Sequence, residues 1–238
     1  MKKIATLLIT ALTIISCSSE ERYVLKGKID GSDGITFYLK VRQDSDFVNI
    51  DSAVSKRGSF TMKGGAIEYP QTVVLAAESI NKMTSFYLEN SKISIKGSLD
   101  SLFNANITGS KTHDEYKSYI ESIKPLSAAY QALSADFITA VRADDNERLE
   151  DIRAEIDSIG NEVIKNQKAF IVNNPASYVT PSFLSGLSGN MSADELESHI
   201  NNLDSSISNL PAVKELEDMV AAMRSVDVPD CTIDDVKK

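Results

Sequence analysis

Glycine and proline divide this chain, and the division sets what it can fold into. Eight of the eleven glycines lie between Gly27 and Gly109, and five of the six prolines follow residue 110. Glycine-rich turns punctuate strands, whereas proline here falls where helices start, kink or stop. Hydrophobic spacing changes at the same place. Tyr23 to Ile29 alternates, and Asp30-Gly31-Ser32-Asp33-Gly34 is a dense turn signal. Strands follow at Ile35–Val41, Phe47–Val54, Ser59–Lys63, Gln71–Ala77, Thr84–Leu88, Lys92–Lys96 and Asn106–Thr108, with Glu89-Asn90-Ser91 read as the turn of a hairpin. About eight strands in residues 22–109 predict an antiparallel β-sandwich or open barrel.

From residue 110 the period becomes 3.6. Thr112 and Glu115 have the form of a capping box, which starts a helix whose apolar face runs Tyr116, Tyr119, Ile120 and Ile123. Pro125 should kink or interrupt it, since proline lacks a donor and crowds the preceding turn. Beyond it Tyr130, Leu133, Phe137 and Val141 continue the face. Asp144-Asp145-Asn146 reverses the chain, and Leu149, Ile152, Ile156, Ile159 and Val163 follow at heptad spacing. That seam predicts an antiparallel helical hairpin with the preceding helix, or else a dimer contact. The second helix stops at Asn173-Asn174-Pro175. Short helices follow over Ser177–Leu187, from the Ser192/Glu195 capping box to about Leu203, and from Pro211 to Arg224. The expected fold is therefore α+β: a strand domain over 22–109, a helical domain over 110–225, and a tail over 226–238.

The first 21 residues are of another kind. Lys2 and Lys3 precede an apolar run from Ile4 to Ile15; Ser16-Cys17 follows, and then Ser18, Ser19, Glu20 and Glu21. Twelve helical residues span about 18 Å against a hydrocarbon core of about 30 Å, so the run is too short to cross a bilayer. Its order is that of a secretory signal, with a cysteine where the small cleavage-site residue would stand. An ordinary signal cut elsewhere would need an A-x-A site, and none follows. The pattern resembles a bacterial lipoprotein signal, which implies removal of residues 1–16, acyl groups (palmitate among them) on Cys17, and a tether over 17–21.

Removing residues 1–16 takes Lys2 and Lys3 with it and leaves 23 basic against 34 acidic residues, a charge of −11. Such a balance repels phosphate backbones, which argues against nucleic acid as a partner. It also gives no overall attraction to an anionic bilayer, so membrane attachment is assigned to the lipid. The only cysteines are Cys17 and Cys231. A lipidated Cys17 leaves no internal disulfide, and the core alone must hold the fold.

Three segments, "NIDSAVSKRGSFTMKG" (Asn49 to Gly64), "FYLENSKISIKGSL" (Phe86 to Leu99) and "ITGSKTHDEY" (Ile107 to Tyr116), resemble a domain of unknown function at the N-terminus of Bacteroidota envelope lipoproteins. "NNPASYVTPSFL" (Asn173 to Leu184) and "LPAVKEL" (Leu210 to Leu216) are similar to the helical linker of the same proteins. In many members a thioredoxin-like domain of the peroxiredoxin or thiol-disulfide oxidoreductase kind follows. "VPDCTIDDVKK" (Val228 to Lys238) is similar to the opening of that domain, with Cys231 in place of a phenylalanine. The family's redox chemistry rests on a W-C-x-x-C turn, whereas this sequence has no Trp and no C-x-x-C. The resemblance therefore implies a stand-alone module or one without its enzymatic half, in the cell envelope and as an outer-membrane lipoprotein. Glu20 and Glu21 resemble an acidic signal that sends some of these lipoproteins to the cell surface.

No enzyme activity, cofactor or metal is expected, and each candidate residue has a structural explanation. Asp230, Asp234 and Asp235 would raise rather than lower the Cys231 pKa, which disfavours thiolate chemistry. Glu195 and His199 share a helix face and read as a solvated ion pair. His113-Asp114-Glu115 reads as helix capping, and Tyr116, Tyr119 and Tyr130 read as core. Lipid attachment at Cys17 is the one assigned site. The expected function is a membrane-anchored envelope lipoprotein with a non-catalytic binding or scaffolding role toward an unidentified ligand, an envelope protein being one candidate partner; the alternative is a truncated or accessory member of a thiol-disulfide oxidoreductase or peroxiredoxin-like lipoprotein family acting in envelope redox homeostasis.

Overall fold

The computed structural model describes residues 22–43 and 46–226. The chain is α+β. Eight strands form two four-stranded sheets that do not close on each other, which selects the sandwich over the barrel. The strands are β1 (Val24–Asp30), β2 (Thr36–Gln43), β3 (Asp46–Val54), β4 (Ser59–Lys63), β5 (Gln71–Ala77), β6 (Lys82–Leu88), β7 (Lys92–Ser98) and β8 (Asn106–Thr108). The first sheet has the order β4-β1-β7-β8 and the second β3-β2-β5-β6.

Alternation along the strands builds the core. Leu25 and Ile29 of β1, Phe37 and Leu39 of β2, Leu75 of β5, and Ile93 and Ile95 of β7 are fully buried between the sheets. Gly27 lies directly opposite Phe60 in the β1–β4 register, and the Phe60 ring occupies the space a Cβ there would need. The ring also stacks on Phe37, with centroids 4.6 Å apart. Glycine is required at 27 because an aromatic ring covers its backbone. At the sandwich end where β1 begins, Tyr23 is buried beneath Gly64 and its hydroxyl donates to Asp51 Oδ2 at 3.4 Å. Burial first, and then the Asp51 carboxylate, push this phenol up to about 12.

Two strand expectations are corrected. β1 and β7 run parallel, from Val24 beside Lys92 to Asp30 beside Ser98, so the first sheet is mixed; the other strand pairings are antiparallel. Five strands separate β1 from β7 in the chain, so no tight turn dictates their relative direction. Nor do residues 84–96 form a hairpin, because β6 is an edge of the second sheet and β7 is interior to the first. The link between them is pinned as a crossing. Asn90 exchanges two hydrogen bonds with the Ile67 backbone, at 2.9 and 2.6 Å, and the Ser91 carbonyl accepts from Val24 N–H at 2.9 Å.

The helices are α1 (Lys111–Ser122), α2 (Lys124–Ala143), α3 (Asn146–Asn173), α4 (Thr180–Leu187), α5 (Ala193–Asn201) and α6 (Pro211–Val226). The break at Ile123 falls where Pro125 predicts it. Asp144, in left-handed conformation, ends α2, and the Asp145 carboxylate accepts from Arg148 N–H to open α3. The hairpin forms within the chain: Leu133 and Ala140 of α2 bury against Ile152, with Leu149, Ile156 and Ile159 alongside. The expected α2 face is corrected, because Tyr130 and Val141 are 50 % and 52 % exposed and Phe137 is also exposed. Of the expected positions Leu133 is buried, and Ala140 joins it one heptad on, with Leu126 half-buried one heptad before, since α3 covers one side of α2. The far half of α3 joins a second core, where Phe170 and Ile171 pack with Tyr119, Phe183, Leu184 and Leu216.

Candidate binding groove

The sandwich and the helices meet along β6, β8 and α1, and the start of α1 fixes that joint. Gly109 takes φ +90°, which turns the chain out of β8. Ser110 then caps α1, its hydroxyl accepting from His113 N–H at 3.1 Å. The helix thus starts ahead of the expected Thr112/Glu115 box. A distant residue supplies the remaining cap: Glu89 Oε1 accepts from Lys111 N–H at 2.6 Å, and Oε2 accepts from the Thr112 hydroxyl at 3.0 Å. Those first amides would otherwise lack partners. Glu115, left out of a box, accepts from Ser177 at 2.6 Å and ties α1 to the approach to α4. Tyr116 packs edge-on against Tyr87 of β6, with centroids 5.9 Å apart, and Tyr119 lies edge-on to Phe183 at 4.6 Å.

Beside this joint lies an open groove of about 650 Å³. Met83 of β6, Ile120 of α1 and Phe103 of the β7–β8 connection give it apolar walls, while His113, Tyr116 and Lys117 line the α1 side. Phe103 is 71 % exposed and Met83 is 53 % exposed, so both apolar groups stand in water. Lys117 is held by its Nζ donating to Asn106 Oδ1 at 3.2 Å. His113 is nine-tenths buried, and its Nδ1 has no hydrogen-bond partner among the described residues. Apolar walls with a few fixed polar groups suit a ligand of mixed character, such as a peptide segment.

Burial holds the His113 imidazole below its ordinary 6.5; Asp114 opposes this and Lys117 adds to it. A base whose pKa falls on folding is protonated first in the unfolded chain. Its stabilising effect is full above pH 6.5 and is lost as pH falls below that value. We expect wild type to lose more stability between pH 7.5 and 5.0 than His113→Phe does, measured as urea midpoints. Equal losses would refute a buried neutral His113.

The remaining sequence candidates are dispersed. Cys17 and Cys231 lie outside the described residues. Glu195 pairs with Lys168 at 2.7 Å, and this hydrogen bond holds its carboxyl below the usual range, with His199 a minor contributor. Ser192 caps α5 by accepting from Glu195 N–H. Tyr119 is core, Tyr116 is half-buried at the joint, and Tyr130 faces solvent, against expectation. Among the described residues no group of three or more His, Cys, Asp or Glu is placed to hold a metal ion, and no helix is long and apolar enough to cross a membrane. Sequence reasoning missed Phe103 and Glu89. An exposed phenylalanine three residues before a strand was a signal for the first, whereas nothing local marks the second.

Residues 23–116 match the family model described as Domain of unknown function (DUF4369). The match ends at Tyr116, so it covers the sandwich, the cap of α1 and the first contact of α1 with β6. No curated protein and no solved structure matches this chain.

Proposed function

We propose that this protein is an envelope lipoprotein, anchored through acyl chains on Cys17, whose body binds or scaffolds a partner without catalysing a reaction. The observation that carries the binding role is the groove, where Phe103, Met83 and Ile120 stand exposed beside a fixed Lys117. Apolar side chains grouped in water mark a surface that a partner covers. The anchor is supported by the order of residues 1–21. Each buried methylene contributes about 0.8 kcal/mol, so two or more acyl chains make attachment lasting.

The likeness of residues 49–116 and 173–216 to Bacteroidota envelope lipoproteins gives the reading its setting. In many of those proteins a similar domain precedes a thioredoxin-like one, so a partner with that fold is the first to try at the groove. Two measurements test the proposal. Cys17→Ser should move the protein from the envelope pellet to the soluble fraction; a variant that still sediments like wild type refutes the anchor. Ile120→Asp should abolish a partner cross-link that wild type forms in envelopes, and an unchanged cross-link refutes the groove.

A further inference from the structure

The chain's negative charge is unevenly placed. Residues 110–226 carry 10 basic against 19 acidic side chains, whereas residues 22–109 carry 11 against 9. Much of the basic excess lies on one surface. The outward positions of the first sheet include Lys26 and Lys28 on β1, Lys63 on β4, and Lys92 and Lys96 on β7, all exposed. The other residues on that face are Ser59, Thr61, Ser94, Ser98, Asn106 and Thr108, with the half-buried Val24 at one end and Asp30, the acidic one, at the other. Lys28 and Lys96 are direct neighbours in the parallel register. Like charges side by side on a sheet face are destabilising on their own. None of the five lysines has a hydrogen-bond or ion-pair partner among the described residues. Solvated lysines do protect sheet edges, but β1 and β7 are interior strands.

The start of β1 adds a second constraint. Lys63 and Lys92 flank Val24 in the strands on either side. The six peptide steps from Cys17 to Tyr23 reach at most about 20 Å even when fully extended. A chain held at Cys17 therefore keeps this end of the sheet at the membrane surface. The helices join the sandwich through β6 and β8, with Lys117 of α1 reaching Asn106 at the β8 edge, so the acidic unit sits beside the lysine face.

We propose that the outward face of the first sheet, with Lys26, Lys28, Lys63, Lys92 and Lys96, seats against anionic lipid headgroups and orients the anchored body. The charge asymmetry turns the acidic helices away from the same surface. The geometry rests on the anchoring reading, but the test does not. The chain from residue 17 to 238, carrying Cys17→Ser and without residues 1–16, is mixed with vesicles of phosphatidylcholine alone or with 30 mol % phosphatidylglycerol added, at low and at high salt. We expect at least tenfold stronger binding to the anionic vesicles, lost at high salt, with roughly a fivefold loss for each ammonium removed. Changing all five lysines to glutamine should abolish the preference; Lys124→Gln with Lys165→Gln and Lys214→Gln, on the helices, should not. Lysine acetylation of the unsubstituted chain gives a second reading, with the five lysines protected only by anionic vesicles. Equal binding to both vesicles, or a preference that survives the five substitutions, overturns the proposal. Salt-sensitive self-association that these substitutions abolish also overturns it, and assigns the face to the acidic helices of a second copy. Cell fractionation of Cys17→Ser reads the anchor separately.

Discussion

Replacing Phe60 with alanine should lower the unfolding free energy by about 3–5 kcal/mol, the range for removing a buried phenylalanine. The ring fills the space over Gly27 and stacks on Phe37, so its loss opens a void walled on one side by backbone. Backbone in the middle of a paired strand cannot collapse into that void, which puts the cost at the upper part of the range. The converse change is also expected to destabilise. A Cβ at position 27 would stand 2.1 Å from the Phe60 ring, and such overpacking costs about 1–3 kcal/mol. The two changes should not add. With Phe60 gone, the Gly27→Ala methyl enters vacated space, and the double variant should be no less stable than Phe60→Ala alone. Urea unfolding with unchanged slope would read all three; strict additivity would refute the contact.

Gly109→Ala should cost about 2–4 kcal/mol. The residue has φ +90°, where a side chain is strained, and a Cβ there would lie 2.2 Å from the Lys92 carbonyl oxygen. Neither neighbour yields easily, since Lys92 belongs to β7 and the Gly109 carbonyl accepts from the Ser91 hydroxyl at 2.7 Å. The strain falls at the turn from β8 into α1, so the Ser110 and Glu89 caps should loosen with it. Hydrogen exchange at the amides of Lys111, Thr112 and His113 should rise more in Gly109→Ala than in Gly65→Ala, where a Cβ meets nothing within 4 Å. Equal exchange would show that the turn tolerates a side chain.

The contrast between what was legible and what was not follows the distance over which each feature is decided. β1, β4 and the helix starts at Asp145, Ser192 and Pro211 rest on alternation or on caps within a few residues, and each stands within a residue or two of its expected place. Pairing is decided by geometry remote in sequence. The crossing after β6 hangs on Asn90 meeting Ile67, and the α1 cap on Glu89 meeting Lys111, contacts 23 and 22 residues apart. Tyr130 and Val141 had helical spacing but no neighbour to bury them, because periodicity reports a face and not its cover. The groove was invisible for the same reason, since Met83, Phe103 and Ile120 come from three separate elements.

The parallel pairing of β1 with β7 also sets a timetable for assembly. Both sheet neighbours of β1 lie downstream, and the one it shares along its whole length, β7, begins 68 positions after Val24. Closing so wide a loop is slow, because its entropy must be lost before the pairing compensates. A chain threading outward from its N-terminus will therefore present its first strand unpaired on that side until Ser98 has emerged. During that interval the Val24 amide, which later donates to the Ser91 carbonyl, stays open to water.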